Sequence, residues 1–198
     1  MKEMRGRRMS NPDNVVGYIE YLAPNGEVQE RIPYESAEIF QKDIYESLDC
    51  GRAITPVIFP NELDGPLQFE AGTIFPWGFR SEEKKPLPYE IYQTENRKYV
   101  FMSLSYAQSR MAAGDYKKVY CGKMFAWESL ETLFDRHNRD DRPNVHHMRS
   151  MSVSDIVVTH LSGITHAYYV DTIGFANVDG LLPELAKAQP VRKDILER

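Results

Sequence analysis

The sequence predicts an α+β protein built from two small modules, each with a short, mostly antiparallel sheet and one or two packed helices. Short segments rich in Val, Ile and Tyr alternate with amphipathic segments in both halves of the 198-residue chain. Prolines and glycines are concentrated over residues 60–88. Residues 13–74 have three basic and twelve acidic side chains, a net charge of −9, whereas residues 88–198 have fourteen of each. We therefore predict a disordered basic tail (1–12), an acidic β-β-α-β module (13–60), a Pro/Gly-rich linker loop (61–87), an α+β module (88–189) and a tail (190–198).

Two strand-like segments, VVGYIEYLA (15–23) and EVQERIPY (27–34), open the acidic module. Tyrosines and β-branched residues at this density are typical of strands. Asn25 and Gly26 separate the two segments, and this dipeptide readily supplies the two positive φ angles of a type I′ turn. The sequence therefore predicts a tight hairpin.

A helix is predicted over residues 36–50. Ser36 is a suitable N-cap, because its hydroxyl can accept from a free backbone N–H of the first turn. Gly51 suits the left-handed conformation that ends many helices. ITPVIFP (54–60) then reads as a strand, and Pro56, which has no N–H to donate, predicts that this strand lies at a sheet edge.

The linker carries an aromatic cluster, FPWGF, in which Phe75, Trp77 and Phe79 stand close together. Aromatic side chains at domain junctions are usually buried, so we expect the cluster to pack between the modules. A partner-binding tip is the alternative.

The second module opens with YEIYQT (89–94) and KYVFMSLS (98–105), which predict two strands around a turn. Ser105 and Gln108 have the spacing of a capping box, which predicts a short helix ending at Gly114.

Three further elements complete the prediction for this module. YKKVYCGKM (116–124) reads as a strand. The segment 126–138 predicts a helix, because its apolar residues recur at helical spacing. A short helix is predicted near 181–188.

Residues 155–170 predict a central hairpin turning at Ser162-Gly163. A two-residue turn fixes the register, and partners across the hairpin share one face of the sheet. His160 and His166 then point to opposite faces, which excludes a shared metal or reaction. The predicted pairs are Leu161 with Ile164, His160 with Thr165 and Thr159 with His166.

This half of the chain resembles the YodL-like domain over roughly residues 87–183. The resemblance implies a cargo protein of a mobile genetic element or phage in Clostridia-like gut bacteria, and it supplies no catalytic residues. The matching segments, in order, are YEIYQ (89–93), YKKVYCGKM (116–124), ETLFDRHN (131–138), RSMSVSDIVV (149–158) and AYYVDTIGFANV (167–178).

No motif in the chain predicts catalysis. The sequence has no G-x-S-x-G, no G-x-G-x-x-G and no Walker pattern. Cys50 and Cys121 form no C-x-x-C pair. We therefore predict no catalytic residue, no metal and no cofactor, and a cytoplasmic protein of the host bacterial cell. The alternative is a metal-dependent hydrolase that uses the polar cluster of residues 136–147, namely His137, Asp140, Asp141, His146 and His147.

The predicted helix 36–50 indicates an interaction surface. Its apolar stripe contains Phe40 and Ile44, and acidic residues occupy the opposite side. Ile39 falls inside the acidic face, as an apolar contact point for a basic partner would. A solvated face with one stray aliphatic residue is the alternative. The predicted binding residues are Glu35, Glu38, Ile39, Asp43, Glu46 and Asp49 on the helix, and Phe75, Trp77 and Phe79 in the linker.

These features favour a non-enzymatic binding protein. With a net charge of −5 and a pI near 5.6, the chain is a poor candidate for direct nucleic-acid binding. An acidic surface can instead compete for the nucleic-acid-binding surface of a host defence protein, as an anti-restriction or anti-CRISPR inhibitor does. A conjugation-associated adaptor is a further alternative.

Overall fold

A computed structural model describes residues 12–59, 73–161 and 163–187. The chain divides into two compact units between Lys85 and Pro86. Each unit has its own sheet with one or more helices, which confirms the predicted α+β class. Residues 1–11 and 190–198, nearly all of the predicted tails, lie outside the described residues, as do residue 60 of the predicted acidic module, residues 61–72 of the predicted linker and residues 188–189 of the predicted second module.

The first unit contains a four-stranded sheet in the order β2-β1-β3-β4. β1 pairs antiparallel with β2 and β3, whereas β3 and β4 are parallel. The predicted helix is present. Strand β4 falls in the segment for which we predicted a linker. The elements are β1 (Gly17–Leu22), β2 (Val28–Tyr34), α1 (Ala37–Asp49), β3 (Ile54–Ile58) and β4 (Arg80–Ser81).

The β1–β2 hairpin is confirmed, but the predicted type I′ turn is wrong. Gly26 has a φ of 84°, and Asn25 is not among the described residues with a positive φ. The Gly26 N–H donates to the Ala23 carbonyl, and the Ala23 N–H donates to the Glu27 carbonyl. This pattern is that of a type I turn followed by a glycine bulge, in which Pro24 takes the position that proline favours.

The prediction that Pro56 places β3 at an edge is also wrong, since β3 has neighbours on both sides. In an antiparallel ladder, hydrogen-bonded and non-hydrogen-bonded pairs alternate. The Leu22 N–H donates to the Ala53 carbonyl, so the hydrogen-bonded pairs of the β1–β3 ladder are found by counting in steps of two from this pair. Pro56 lies opposite Ile19 at a position where the N–H would point away from β1. The missing donor therefore removes no bond of that ladder.

Helix α1 packs closely on this sheet. A Cβ added to Gly17 would lie 2.4 Å from Cε1 of Phe40, so only glycine permits the approach. The core beneath the helix is apolar and fully buried, with Ile19, Phe40, Ile44, Ile54 and Ile58 at its centre.

The second unit contains a five-stranded antiparallel sheet in the order β6-β5-β7-β8-β9. The elements are β5 (Leu87–Thr94), α2 (Leu104–Ala107), β6 (Tyr116–Met124), α3 (Leu130–Arg136), β7 (Ile156–Leu161), β8 (Ile164–Val170), β9 (Phe175–Asn177) and α4 (Leu182–Leu185). Helix α3 begins four residues later than predicted, after the N-cap Ser129.

The register predicted for the β7–β8 hairpin is confirmed at each of the three predicted pairs. Ser162 of its turn lies outside the described residues. Val157 and Val158, successive residues of β7, are buried in cores on opposite faces of the sheet. β7 is therefore a central strand covered on both sides.

Two predictions between β5 and β6 are wrong. KYVFMSLS (98–105) is not a strand, because Thr94 and Asn96 turn the chain: their side-chain oxygens accept from the N–H groups two residues on. The helix starts at Leu104 with Ser103 as N-cap, and no side-chain capping bond forms, so Ser105 caps nothing.

A buried carboxylate organises the start of β7. Asp155 is fully buried and accepts from the Arg149 guanidinium through both oxygens, from Nε2 of Gln93 at 2.9 Å and from the Ser152 N–H at 2.9 Å. Burial raises the pKa of Asp155 to about 6, although the guanidinium and these donors lower it. The adjacent Ser154 has a φ of 82° and is also fully buried.

His137, which follows α3, is a core residue. Its Nε2 lies 2.7 Å from the Tyr89 hydroxyl, and its ring packs edge-on to Tyr120. Its Nδ1 is buried and has no hydrogen-bond partner among the residues that the structure describes. Burial, together with the neighbouring cations Arg136 and Arg142, lowers the pKa of His137 to about 4.

We expect Asp155→Asn to lower the free energy of unfolding by about 2 kcal/mol, because the Asn amide group turns a donor toward groups that already donate to this position and leaves Arg149 without its carboxylate. Urea denaturation at pH 7 measures this loss. Asp140→Asn is the control, since Asp140 is exposed and a change there should cost less than about 0.5 kcal/mol. Equal losses in the two variants would contradict this role of Asp155.

We expect His137 to weaken the fold as the pH falls. Below its usual pKa of 6.5 the unfolded chain takes up a proton on this imidazole, whereas the folded chain does not until about pH 4. Between pH 7 and pH 5 the wild type should therefore lose about 2 kcal/mol more stability than His137→Gln, which cannot titrate. Urea denaturation of both proteins at the two pH values checks this, and equal losses would contradict it.

Candidate interaction surfaces

Helix α1 is held at both ends by its own sequence. The Ser36 hydroxyl accepts from the Ile39 N–H at 3.4 Å, which confirms the predicted N-cap. Gly51 has a φ of 65°, as a C′ glycine should, and its N–H donates to the Leu48 carbonyl. With Phe40 and Ile44 buried, the orientation of the helix fixes which side chains face solvent.

The structure places most of the predicted helix residues on the exposed side. Ile39 exposes 56% of its surface. Glu35, Glu38, Glu46 and Asp49 are exposed as well. We call these five residues the α1 surface.

Asp43 differs from the other predicted binding residues. It is only half-exposed, and its Oδ2 accepts from the Tyr34 hydroxyl at 2.9 Å. Burial raises the pKa of Tyr34, and the contact with Asp43 raises it further, so the phenol remains a donor. Asp43 therefore ties α1 to β2 and is not part of the α1 surface.

Two cations of the first unit pair with a buried acid. Arg31 and Arg80 both pair with Glu20, each at 2.8 Å, and Glu20 is buried in the sheet. Lys42 lies 3.6 Å from Glu46, but both side chains are largely exposed, and such pairs contribute little.

The acidic residues at the end of α1 oppose the helix dipole. Glu46 and Asp49 lie near the carboxyl end, where partial negative charge accumulates, and no basic residue occupies the last turn. This arrangement is unfavourable for helix stability. The fold alone therefore gives no reason for these two carboxylates.

The aromatic segment 75–79 forms a turn on the first unit. The Gly78 N–H donates to the Phe75 carbonyl, and the Thr55 hydroxyl donates to the Trp77 carbonyl at 3.1 Å. Phe75 packs against the core under α1, and its ring lies 5.8 Å from that of Phe79. Trp77 remains 47% exposed. The predicted cluster is therefore divided between a core residue, Phe75, and side chains that reach solvent.

The cluster of residues 136–147 does not converge on a metal. His137 is buried, whereas His146, His147, Asp140 and Asp141 are exposed. Within the described parts of the chain, no three His, Cys, Asp or Glu side chains come together as a metal site would need. Arg139 instead lies 3.8 Å from Asp141.

Sequence reasoning missed a second exposed group. Phe101, Met102 and Tyr106, in and beside α2, are exposed, and so is Ile173 in the turn before β9. The segment 98–105 reads as a strand, so the sequence gives no signal that these side chains face outward. The positive φ of Phe101 is visible only in the structure.

Among the residues that the structure describes, no helix has the length and apolar character needed to cross a membrane.

Comparison with known proteins identifies the second unit. The model of the YodL-like domain family matches residues 88–180, as the resemblance implied. This range covers the sheet β5–β9 and the Asp155 network. Neither the curated proteins nor the solved structures contain a match to the chain. The likeness to the YodL-like domain family therefore lies within the second unit.

Proposed function

We propose that the chain is a non-enzymatic protein of a mobile element or phage that binds and inhibits a defence protein of its bacterial host, in the cytoplasm. The α1 surface would occupy a basic site on the target that otherwise holds nucleic acid, as an anti-restriction or anti-CRISPR protein does. The observation that carries the proposal is Ile39, an exposed aliphatic side chain on α1 among three exposed carboxylates of the helix, Glu38, Glu46 and Asp49, with Glu35 exposed just before the helix.

The chemistry of the α1 surface supports this choice. Arginines and lysines that bind phosphates also attract carboxylates, and electrostatic attraction accelerates association. Ile39 supplies the apolar contact that an acidic surface alone lacks, since binding energy is concentrated in a few desolvated residues. The two carboxylates at the end of α1 cost stability, as residues kept for binding often do.

The YodL-like domain supports the proposed origin. The resemblance implies cargo proteins of mobile elements and phages, and defence systems are the host proteins that such elements meet. The domain supplies no catalytic residue. Inhibition is therefore assigned to occlusion of a surface and not to chemistry.

We expect expression of the protein to raise plasmid transformation at least tenfold in a host strain with an active restriction or CRISPR system. The triple variant Glu38→Lys, Ile39→Ala, Asp49→Lys should lose this effect, because both the charge and the apolar contact are removed. Colony counts with and without the defence system measure the result.

The control is Asp140→Lys with Glu184→Lys, which adds the same charge at exposed positions of the second unit. It should protect the plasmid as the wild type does. No protection by the wild type in any defended strain, or full protection by the triple variant, would contradict the proposal.

We expect Asp49→Lys alone to raise stability while it weakens function. A cation at the carboxyl end of α1 interacts favourably with the helix dipole, by about 0.3–1 kcal/mol. The melting temperature should rise by roughly 1–4 °C, measured by thermal denaturation at low ionic strength. A lower melting temperature would show that Asp49 supports the fold.

A further inference from the structure

The loop that leads into α2 is held from below by buried groups. Three of its backbone positions are bonded to the sheet region. These bonds join the Phe101 N–H to the Ser154 hydroxyl at 3.1 Å, the Met102 carbonyl to the Tyr169 hydroxyl at 2.7 Å, and the Leu104 N–H to the Asp171 carboxylate at 3.2 Å. Ser154 and Tyr169 are fully buried. The loop is therefore rigidly positioned.

The same loop presents apolar side chains to solvent. Phe101 is 57% exposed and Met102 42% exposed, and Tyr106 follows in α2. Asp171, which binds the loop at Leu104, opens the turn whose Ile173 is 93% exposed. We call Phe101, Met102, Tyr106 and Ile173 the α2 patch.

The backbone at Phe101 is strained. Its φ is 63°, a region that glycine and asparagine tolerate and that a bulky side chain rarely adopts. A strained residue usually gains buried contacts in return, but more than half of this side chain faces water. Strain at an exposed side chain is typical of a functional position.

Cationic groups surround the α2 patch. The Arg149 guanidinium lies 5.1 Å from the centre of the Phe101 ring, and the Arg110 guanidinium lies 4.2 Å from that of Tyr106. Arg97 and Lys98 are exposed just before the loop. Arg149 is already paired with Asp155, so the cations left for a partner are Arg97, Lys98 and Arg110. Two acids lie in the same region, Glu95, which is exposed, and Asp171, which is partly exposed and bonded to the loop, so cations still outnumber acids here.

We propose that the α2 patch binds an acidic segment of a partner protein that carries an apolar anchor side chain. The anchor contacts Phe101 and Met102, and the carboxylates meet the three cations. A second copy of the same patch is disfavoured, because like charges would face each other. Aromatic rings beside cations also suit single-stranded nucleic acid. Met102 and Ile173 offer no stacking face, so they favour a peptide with an apolar anchor.

This surface is chemically opposite to the α1 surface. The α1 surface is acidic and has one aliphatic contact residue, whereas the α2 patch is rich in aromatic side chains and has cations beside it. The two proposals are independent, because each rests on side chains of a different unit.

The test is selection of a random twelve-residue peptide display library on the intact chain, followed by synthesis of the enriched peptides. We expect these peptides to combine Asp or Glu with an aromatic or aliphatic residue. Their dissociation constants, measured by fluorescence anisotropy, should lie at about 1–100 µM and weaken at higher salt. Lys98→Glu with Arg110→Glu should weaken binding at least tenfold.

Phe101→Gly is the decisive variant, because glycine suits a φ of 63° and the fold should survive without the ring. Peptide binding should fall at least tenfold while the melting temperature stays within about 3 °C. Ile164→Ala is the matched control, since Ile164 is 58% exposed on the same unit and should bind as wild type. No enriched peptides, peptides without acidic residues, unchanged binding by Phe101→Gly, or displacement by a twelve-nucleotide oligothymidine would each overturn the proposal.

Discussion

The second unit depends on one buried carboxylate. Asp155 stands at the entry to β7, the central strand of the sheet, and collects donors from Arg149, Gln93 and the Ser152 backbone. The Val170 N–H donates to its carbonyl at 2.8 Å, so the network also fixes β8. Burying a carboxylate without these donors would cost free energy. The need to supply the donors therefore fixes the position of the chain around Asp155. Ser154 is held in a left-handed conformation beside it, and its hydroxyl positions Phe101. The position of Phe101 in the α2 patch thus follows from buried polar groups next to Asp155.

The first unit also has a buried carboxylate that engages cations. Glu20 is buried in β1 and draws Arg31 and Arg80 to itself. Both cations are thereby engaged by a carboxylate of the sheet. In both units, a buried acid thus holds arginine side chains in ion pairs.

The sequence alone predicts those elements that are determined by local periodicity and by helix capping. The β7–β8 register follows from the two-residue alternation around Gly163, and α1 follows from Ser36, Gly51 and its apolar stripe. The predictions fail for two different reasons. Pro56 is tolerated in a central strand because of how that strand pairs with β1, which is a distant part of the chain. The segment 98–105 turns because Thr94 and Asn96 bond to N–H groups two residues on, a local signal that its strand-like composition masks. Exposure of Ile39 was predicted from its position on the helix, whereas the role of Asp43 required the Tyr34 hydroxyl, and the exposure of Phe101 required Ser154.

The most direct test of the central claim is photo-crosslinking from the α1 surface in host cells. Benzoylphenylalanine at position 39 reacts with whatever contacts that side chain, and position 164, on the second unit, serves as the control. We predict an adduct from position 39 to a defence protein, with the linked peptide in its lysine- and arginine-rich nucleic-acid-binding surface. An adduct from position 164 alone, or one from position 39 to a surface without basic residues, would contradict the account.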